Sequence, residues 1–143
     1  PNVVYYKENA ERMIALTIDD APSRSAEQFE ELLNLLKEQE PPVVVTFQVI
    51  SGHVSSDRHR ELLLRAVAQG HQLTNHATRD HPCTGLSQEE FERQIDECQQ
   101  LLDDIAPRSR RWFRPPSGVM NSTMRNALQN KGYAVCLGDC YSG

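Results

Sequence analysis

The sequence predicts an α/β domain built on a parallel sheet, and two observations carry that prediction. Short apolar runs rich in β-branched residues alternate with longer stretches of helical periodicity, in the order β-α-β-α-β-α-β-α-β. Alternation of this kind implies parallel strands joined by right-handed helical crossovers. The second observation is that the polar clusters fall where strand-like runs end, the edge at which open α/β sheets and barrels bind ligands. Five such strands make either an open sheet or part of a barrel.

Each element has a local reason. Ile14 to Ile18 reads as a buried strand, stopped at Asp19-Asp20-Ala21-Pro22. Ser25 with Gln28 three residues on resembles a capping box, and Phe29, Leu32, Leu33 and Leu36 carry a helix to about Glu38. Pro41-Pro42 ends it, and Val43 to Ile50 is the strongest strand. A second helix runs from about Asp57 to Ala68, with Leu62, Leu63, Ala66 and Val67 on one face and Gly70 closing it. His71 to Asn75 is a short strand leading into a polar loop. Ser87 and Glu90 make a second capping box, and Phe91, Ile95, Cys98, Leu102 and Ile105 form the apolar stripe of a third helix. Trp112-Phe113-Arg114 is a strand before Pro115-Pro116. Asn121 caps a helix to about Asn130, Gly132 follows it, and Tyr133 to Leu137 is the last strand.

Composition narrows the function. A chain of 143 residues, 38% hydrophobic and 24% charged, can bury roughly two-thirds of its unfolded surface without a metal or disulfide staple. No linker divides it, so residues 1–143 read as a single domain. No apolar run reaches the ~18 to 20 residues of a membrane span. A formal net charge of −5 argues against nonspecific nucleic-acid binding, which depends on neutralising phosphates. The run Arg108, Arg110, Arg111 is an exposed loop rather than a basic patch. Cys83, Cys98, Cys136 and Cys140 form no Cys-x-x-Cys pair. They read equally as small buried hydrophobes or as one or two disulfides. Pro1 in place of Met implies a processed or trimmed chain.

Three clusters carry chemistry. Thr17 to Pro22 (TIDDAP) places two carboxylates side by side, and they repel unless a metal sits on one or an arginine beside the other. Asn75 to Pro82 (NHATRDHP) holds His76 with Asp80 four residues on, one helical turn, and His81 five on, which needs a looser turn. Phe113 to Gly118 (FRPPSG) is a rigid turn that fixes Arg114. His53, His59 and His71 read as surface or strand residues without a role. Paired aspartates also occur in phospho-receiver domains. Those need an Asp after the third strand and a Lys after the fifth, and neither stands here.

TIDDAP, VTFQV (Val45 to Val49), GHQLTNHATRDHP (Gly70 to Pro82) and RWFRPPSG (Arg111 to Gly118) together resemble the polysaccharide deacetylases, the NodB-homology domain of carbohydrate esterase family four. The resemblance covers residues 13 to 140. It implies a distorted (β/α) barrel and a metal-dependent hydrolase that removes acetyl groups from N- or O-acetylated polysaccharide such as chitin or peptidoglycan. It implies Asp19 as general base, Asp20 and His76 as metal ligands, Arg114 as the group that holds Asp19, and the Ser117 N–H as an oxyanion donor. The ion implied is divalent, usually zinc, and the substrate places the protein outside the cell or at its wall.

Three departures from the family pattern stand out. Asp80 occupies the usual position of a second histidine, so the third ligand is Asp80, favoured by helical spacing, or His81. A His-Asp-Asp set is harder than His-His-Asp and favours other divalent ions more than the usual set does. Ser117 replaces a tyrosine, which removes an aromatic wall. The later motifs, whose histidine acts as general acid, have no counterpart before Gly143, so a barrel incomplete at its C-terminal end, with an exposed sheet edge, is expected. A non-catalytic, carbohydrate-binding relative is the alternative.

Overall fold

The computed structural model describes residues 1–5, 13–107 and 109–140. Six parallel strands form one sheet in the order β1-β6-β5-β4-β3-β2. They are β1 (Val3–Val4), β2 (Thr17–Ala21), β3 (Thr46–Val49), β4 (Gln72–Asn75), β5 (Trp112–Phe113) and β6 (Ala134–Cys136). The helices are α1 (Ala26–Lys37), α2 (Asp57–Ala68), α3 (Gln88–Ile105) and α4 (Ser122–Asn130). The sheet is open, with β1 and β2 at its edges, which matches part of a distorted barrel.

The helices form where their caps and stripes place them. Ser25, Ser56, Ser87 and Asn121 each accept a backbone N–H of the first turn. The box at Ser25 is not reciprocal: the Ser25 N–H donates to Ser23 Oγ, and Gln28 pairs with Ser23. α3 joins two cores. Its Phe91 and Ile95 pack with Phe113, Met124, Leu128 and Val135, and its Cys98, Leu102 and Ile105 pack with Phe29, Phe47, Leu63 and Leu73. Gln48 and Thr74, which alternate with these strand residues, bond each other on the other side of the sheet, and Arg114 follows directly after β5.

Several expectations are corrected. The sheet has six strands, not five, because Val3–Val4 pairs with Val135 and Cys136. A two-residue strand has too little pattern to be read from sequence. The strand expected at Ile14 to Ile18 runs instead over Thr17–Ala21 and carries both aspartates within it. Ile14 and Leu16 lie beside an edge strand and are exposed rather than buried. The strands at Val43 to Ile50 and Tyr133 to Leu137 are shorter than expected. His59 is buried on α2 rather than on the surface, while His71, buried just before β4, fits the strand alternative. The cysteines are free, with Cys83 and Cys98 buried as small hydrophobes. Arg110 and Arg111 are exposed, Arg111 lying over the Tyr133 ring, while Arg108 lies outside the described residues.

Candidate active site

The site begins with a bulge. Thr17 and Ile18 pair with Thr46 and Phe47, and the next pairing is Ala21 with Val49. Asp19 and Asp20 therefore share the space opposite Gln48. In a regular strand adjacent side chains point to opposite faces. Here the extra residue and the left-handed backbone of Asp20 (φ 63°) turn both carboxylates the same way. Asp19 Oδ2 lies 3.9 Å, and Asp20 Oδ1 3.6 Å, from His76 Nε2.

Arg114 completes the Asp19 half. It is buried at the end of β5, and its backbone N–H donates to the Asn75 carbonyl. Its Nη1 donates to Asp19 Oδ1 at 2.6 Å and to Thr17 Oγ1 at 2.8 Å. Its Nε donates to the Cys136 carbonyl at 3.1 Å, and Nη2 reaches Cys136 Sγ. The guanidinium therefore ties β2 to β6 and fixes the Asp19 carboxylate from one side.

His76 is held just as firmly. Its N–H donates to the Val49 carbonyl, and its Nδ1 lies 2.6 Å from the Arg114 carbonyl. A carbonyl only accepts, so Nδ1 carries the proton and Nε2 faces the aspartates. A backbone carbonyl behind the ring is the usual support of a metal-binding histidine.

Asp20 is the unsatisfied member. Its Oδ1 is buried without a hydrogen-bond partner. Burial pushes its carboxyl above the ordinary carboxylate range; Asp80 adds to this, His76 opposes it, Asp19 adds and His53 opposes. An orphaned carboxylate oxygen facing an imidazole nitrogen, beside a further negative charge, is a donor set that fits a divalent cation. Two donors are in place, but among the described residues no three His, Cys, Asp or Glu side chains come together closely enough to hold an ion.

The remaining expected residues are spread around this centre. Residues 76–82 form no helix, and Ala77 is left-handed (φ 66°), which overturns the helical-turn argument for Asp80. Asp80 is exposed, yet its charge acts on Asp20. His81 is exposed, and its N–H donates to the Arg79 carbonyl. Ser117 is exposed in the turn after Arg114, with φ 63°; it shares with Gly118 the tight return expected of the glycine alone. Sequence reasoning missed Thr17, Cys136 and His53. Thr17 alternates with Asp19, a signal available in the sequence. Cys136 and His53 gave none, since nothing local marks a partner on another strand. Clefts of about 340 and 490 Å³ lie elsewhere, the larger one against Leu73, Ile105 and Trp112.

The fold and site define an α/β protein that gathers a carboxylate pair, a histidine and an arginine at the carboxyl ends of parallel strands. The polysaccharide deacetylase family profile matches residues 6–136, and the chain belongs to that family. It is similar to the chitooligosaccharide deacetylase of Rhizobium leguminosarum bv. trifolii, 32% identical over 123 residues, covering 85% of this chain and 54% of that protein. Among solved structures it is similar to the polysaccharide deacetylase Bc1974 from Bacillus cereus, with 30% identity and a TM-score of 0.69, covering 85% of this chain and 57% of that one. The CE4 family pseudoenzyme BA3943 from Bacillus anthracis shares the fold, with 21% identity and a TM-score of 0.79, covering 96% of this chain and 47% of that one. The chain thus spans about half the length of these relatives.

Proposed function

We propose that this chain carries the site of a metal-dependent deacetylase that hydrolyses acetyl groups of N-acetylated polysaccharide of the chitin or peptidoglycan type, outside the cell or at its wall. The observation that carries the reading is the division of labour in the acid pair: Asp19 paired with Arg114, Asp20 facing His76 with one oxygen unsatisfied. Asp20, His76 and Asp80 would hold the cation, with zinc or a harder divalent ion suited to two carboxylates and one imidazole. When bound, the ion supplies polarisation of the acetyl carbonyl and acidification of water.

The chain's own residues do the rest. Arg114 pairs with Asp19 and aims it, so its free oxygen accepts the proton of the attacking water. The Ser117 N–H offers a donor to the oxygen that gains charge in the tetrahedral state. The similarity to a chitooligosaccharide deacetylase supports an oligosaccharide of N-acetylglucosamine as substrate.

The test is acetate release from a chitin oligomer with added Zn²⁺, using the full-length protein and Asp19→Asn. Wild type releases acetate, and the variant falls by about 10²- to 10⁴-fold. Equal release by both overturns the assignment. A second reading is a carbohydrate-binding relative without turnover, in which the exposed Asp80 stays apart from Asp20 and His76. Oligomer binding without acetate release from wild type would establish it.

A further inference from the structure

We propose that the turn Ser51–His53, which follows β3, is the clasp that sets the metal-facing geometry, with His53 as the positioning residue for Asp20. The inference rests on the deacetylase reading for its metal, but its geometry stands alone. A bulge removes a carbonyl from the ladder, and that carbonyl needs another donor. His53 Nδ1 lies 3.0 Å from the Asp20 carbonyl and 3.1 Å from the Pro22 carbonyl. Both partners only accept, so Nδ1 carries the proton and donates to the two. Just before the turn, the Ile50 N–H donates to the Ala21 carbonyl at 2.9 Å. Residues 20–22 are thus held through three consecutive carbonyls, and Asp20 stays in the left-handed conformation that aims its carboxylate at His76.

The same turn holds the other loop. The Ser51 N–H donates to the Ala77 carbonyl at 3.2 Å and the Gly52 N–H to the Thr78 carbonyl at 3.1 Å. Ala77, like Asp20, is a non-glycine residue with positive φ, a conformation that costs free energy and persists only where its surroundings enforce it. A Cβ on Gly52 would stand 2.3 Å from the Thr78 carbonyl oxygen, so only glycine allows this approach. One short turn therefore registers the Asp20 loop against the His76 loop. The distance between the two facing donors is set from behind by residues that touch neither substrate nor ion.

The experiment compares wild type, His53→Ala and His53→Asn, whose amide nitrogen can stand where Nδ1 stands. Two readouts are used: Zn²⁺ and Co²⁺ affinity by calorimetry, and amide exchange of Ile50, Ser51 and Gly52 in the ion-free protein. His53→Ala is expected to weaken ion affinity about tenfold, the scale of one hydrogen bond, and to speed exchange at those three amides with the far-core amides unchanged. His53→Asn is expected to restore most of both. Gly52→Ala, which pushes on the His76 loop instead, is expected to weaken the ion at least as much. Unchanged affinity and unchanged exchange in His53→Ala overturn the clasp. If wild type binds neither ion, the deacetylase reading fails, and exchange alone then decides the clasp.

Discussion

The two halves of the acid pair are adjacent in sequence and opposite in state. Asp19 meets a guanidinium that is itself anchored at Thr17 and Cys136, so its charge is answered within the protein. Asp20 faces the His76 imidazole and lies in the field of Asp80, and one of its oxygens has no hydrogen-bond partner. One half is answered by a resident guanidinium, while the other keeps a buried carboxylate oxygen without a hydrogen-bond partner. The difference shows how a strand can place two like charges side by side: a bulge turns them to one face, Arg114 answers one of them, and on the proposed reading a bound cation would answer the other.

The strongest way to break the Asp19 half is Arg114→Leu. It strips Asp19 and Thr17 of this donor and removes the Nε bond to the Cys136 carbonyl. Because Asp19 is partly open to solvent, a cost of about 2–3 kcal/mol in urea unfolding is expected. Acetate release should fall by on the order of 10²- to 10³-fold, while ion affinity holds within a few-fold. A variant that loses ion affinity as steeply as activity would show that the halves are not separable.

The Asp20 half breaks at His76. His76→Ala should lower Zn²⁺ affinity by on the order of 10²-fold or more, read by calorimetry. Asp80→Ala should cost about tenfold, since its charge already acts on Asp20. His81→Ala should leave affinity unchanged. The reverse ranking of Asp80 and His81 would move the third ligand to the histidine.

Much of this was legible in the sequence, and the pattern of misses is physical. Helices were readable because their caps are local: Ser87 and Asn121 accept from residues three positions on. The convergence of Asp19, His76 and Arg114 followed from the rule that parallel strands bring their carboxyl ends together, and motif resemblance gave each a role. The bulge was not legible, because it depends on how β2 meets β3, and TIDDAP reads the same with or without it. Asp80 was favoured on a helical turn that the chain does not make; its charge reaches Asp20 without one. His53 was passed over because a single histidine after a strand has no local signal, and its partners lie some thirty residues away.

The smallest effect sharpens the comparison most, because it changes sign. Burial and Asp80 raise the Asp20 carboxyl above its ordinary value of 3.8. The folded protein therefore holds this proton more tightly than the unfolded chain. That stabilisation is fully present below pH 3.8 and is lost as pH rises through the raised value. At neutral pH the ion-free fold carries an ionised Asp20 at a cost. Asp20→Asn should then be more stable than wild type in chelator, by less than about 1 kcal/mol because the outer oxygen is open to solvent. The gap should close as the pH is lowered toward 3.8, while Asp19→Asn, which loses the charge paired with Arg114, should destabilise at neutral pH. Saturating Zn²⁺ should invert the order, since ligation stabilises wild type and the amide is a poor ligand. A wild type more stable than Asp20→Asn in chelator at pH 7 would mean that the fold already answers both charges, and the two halves would not differ.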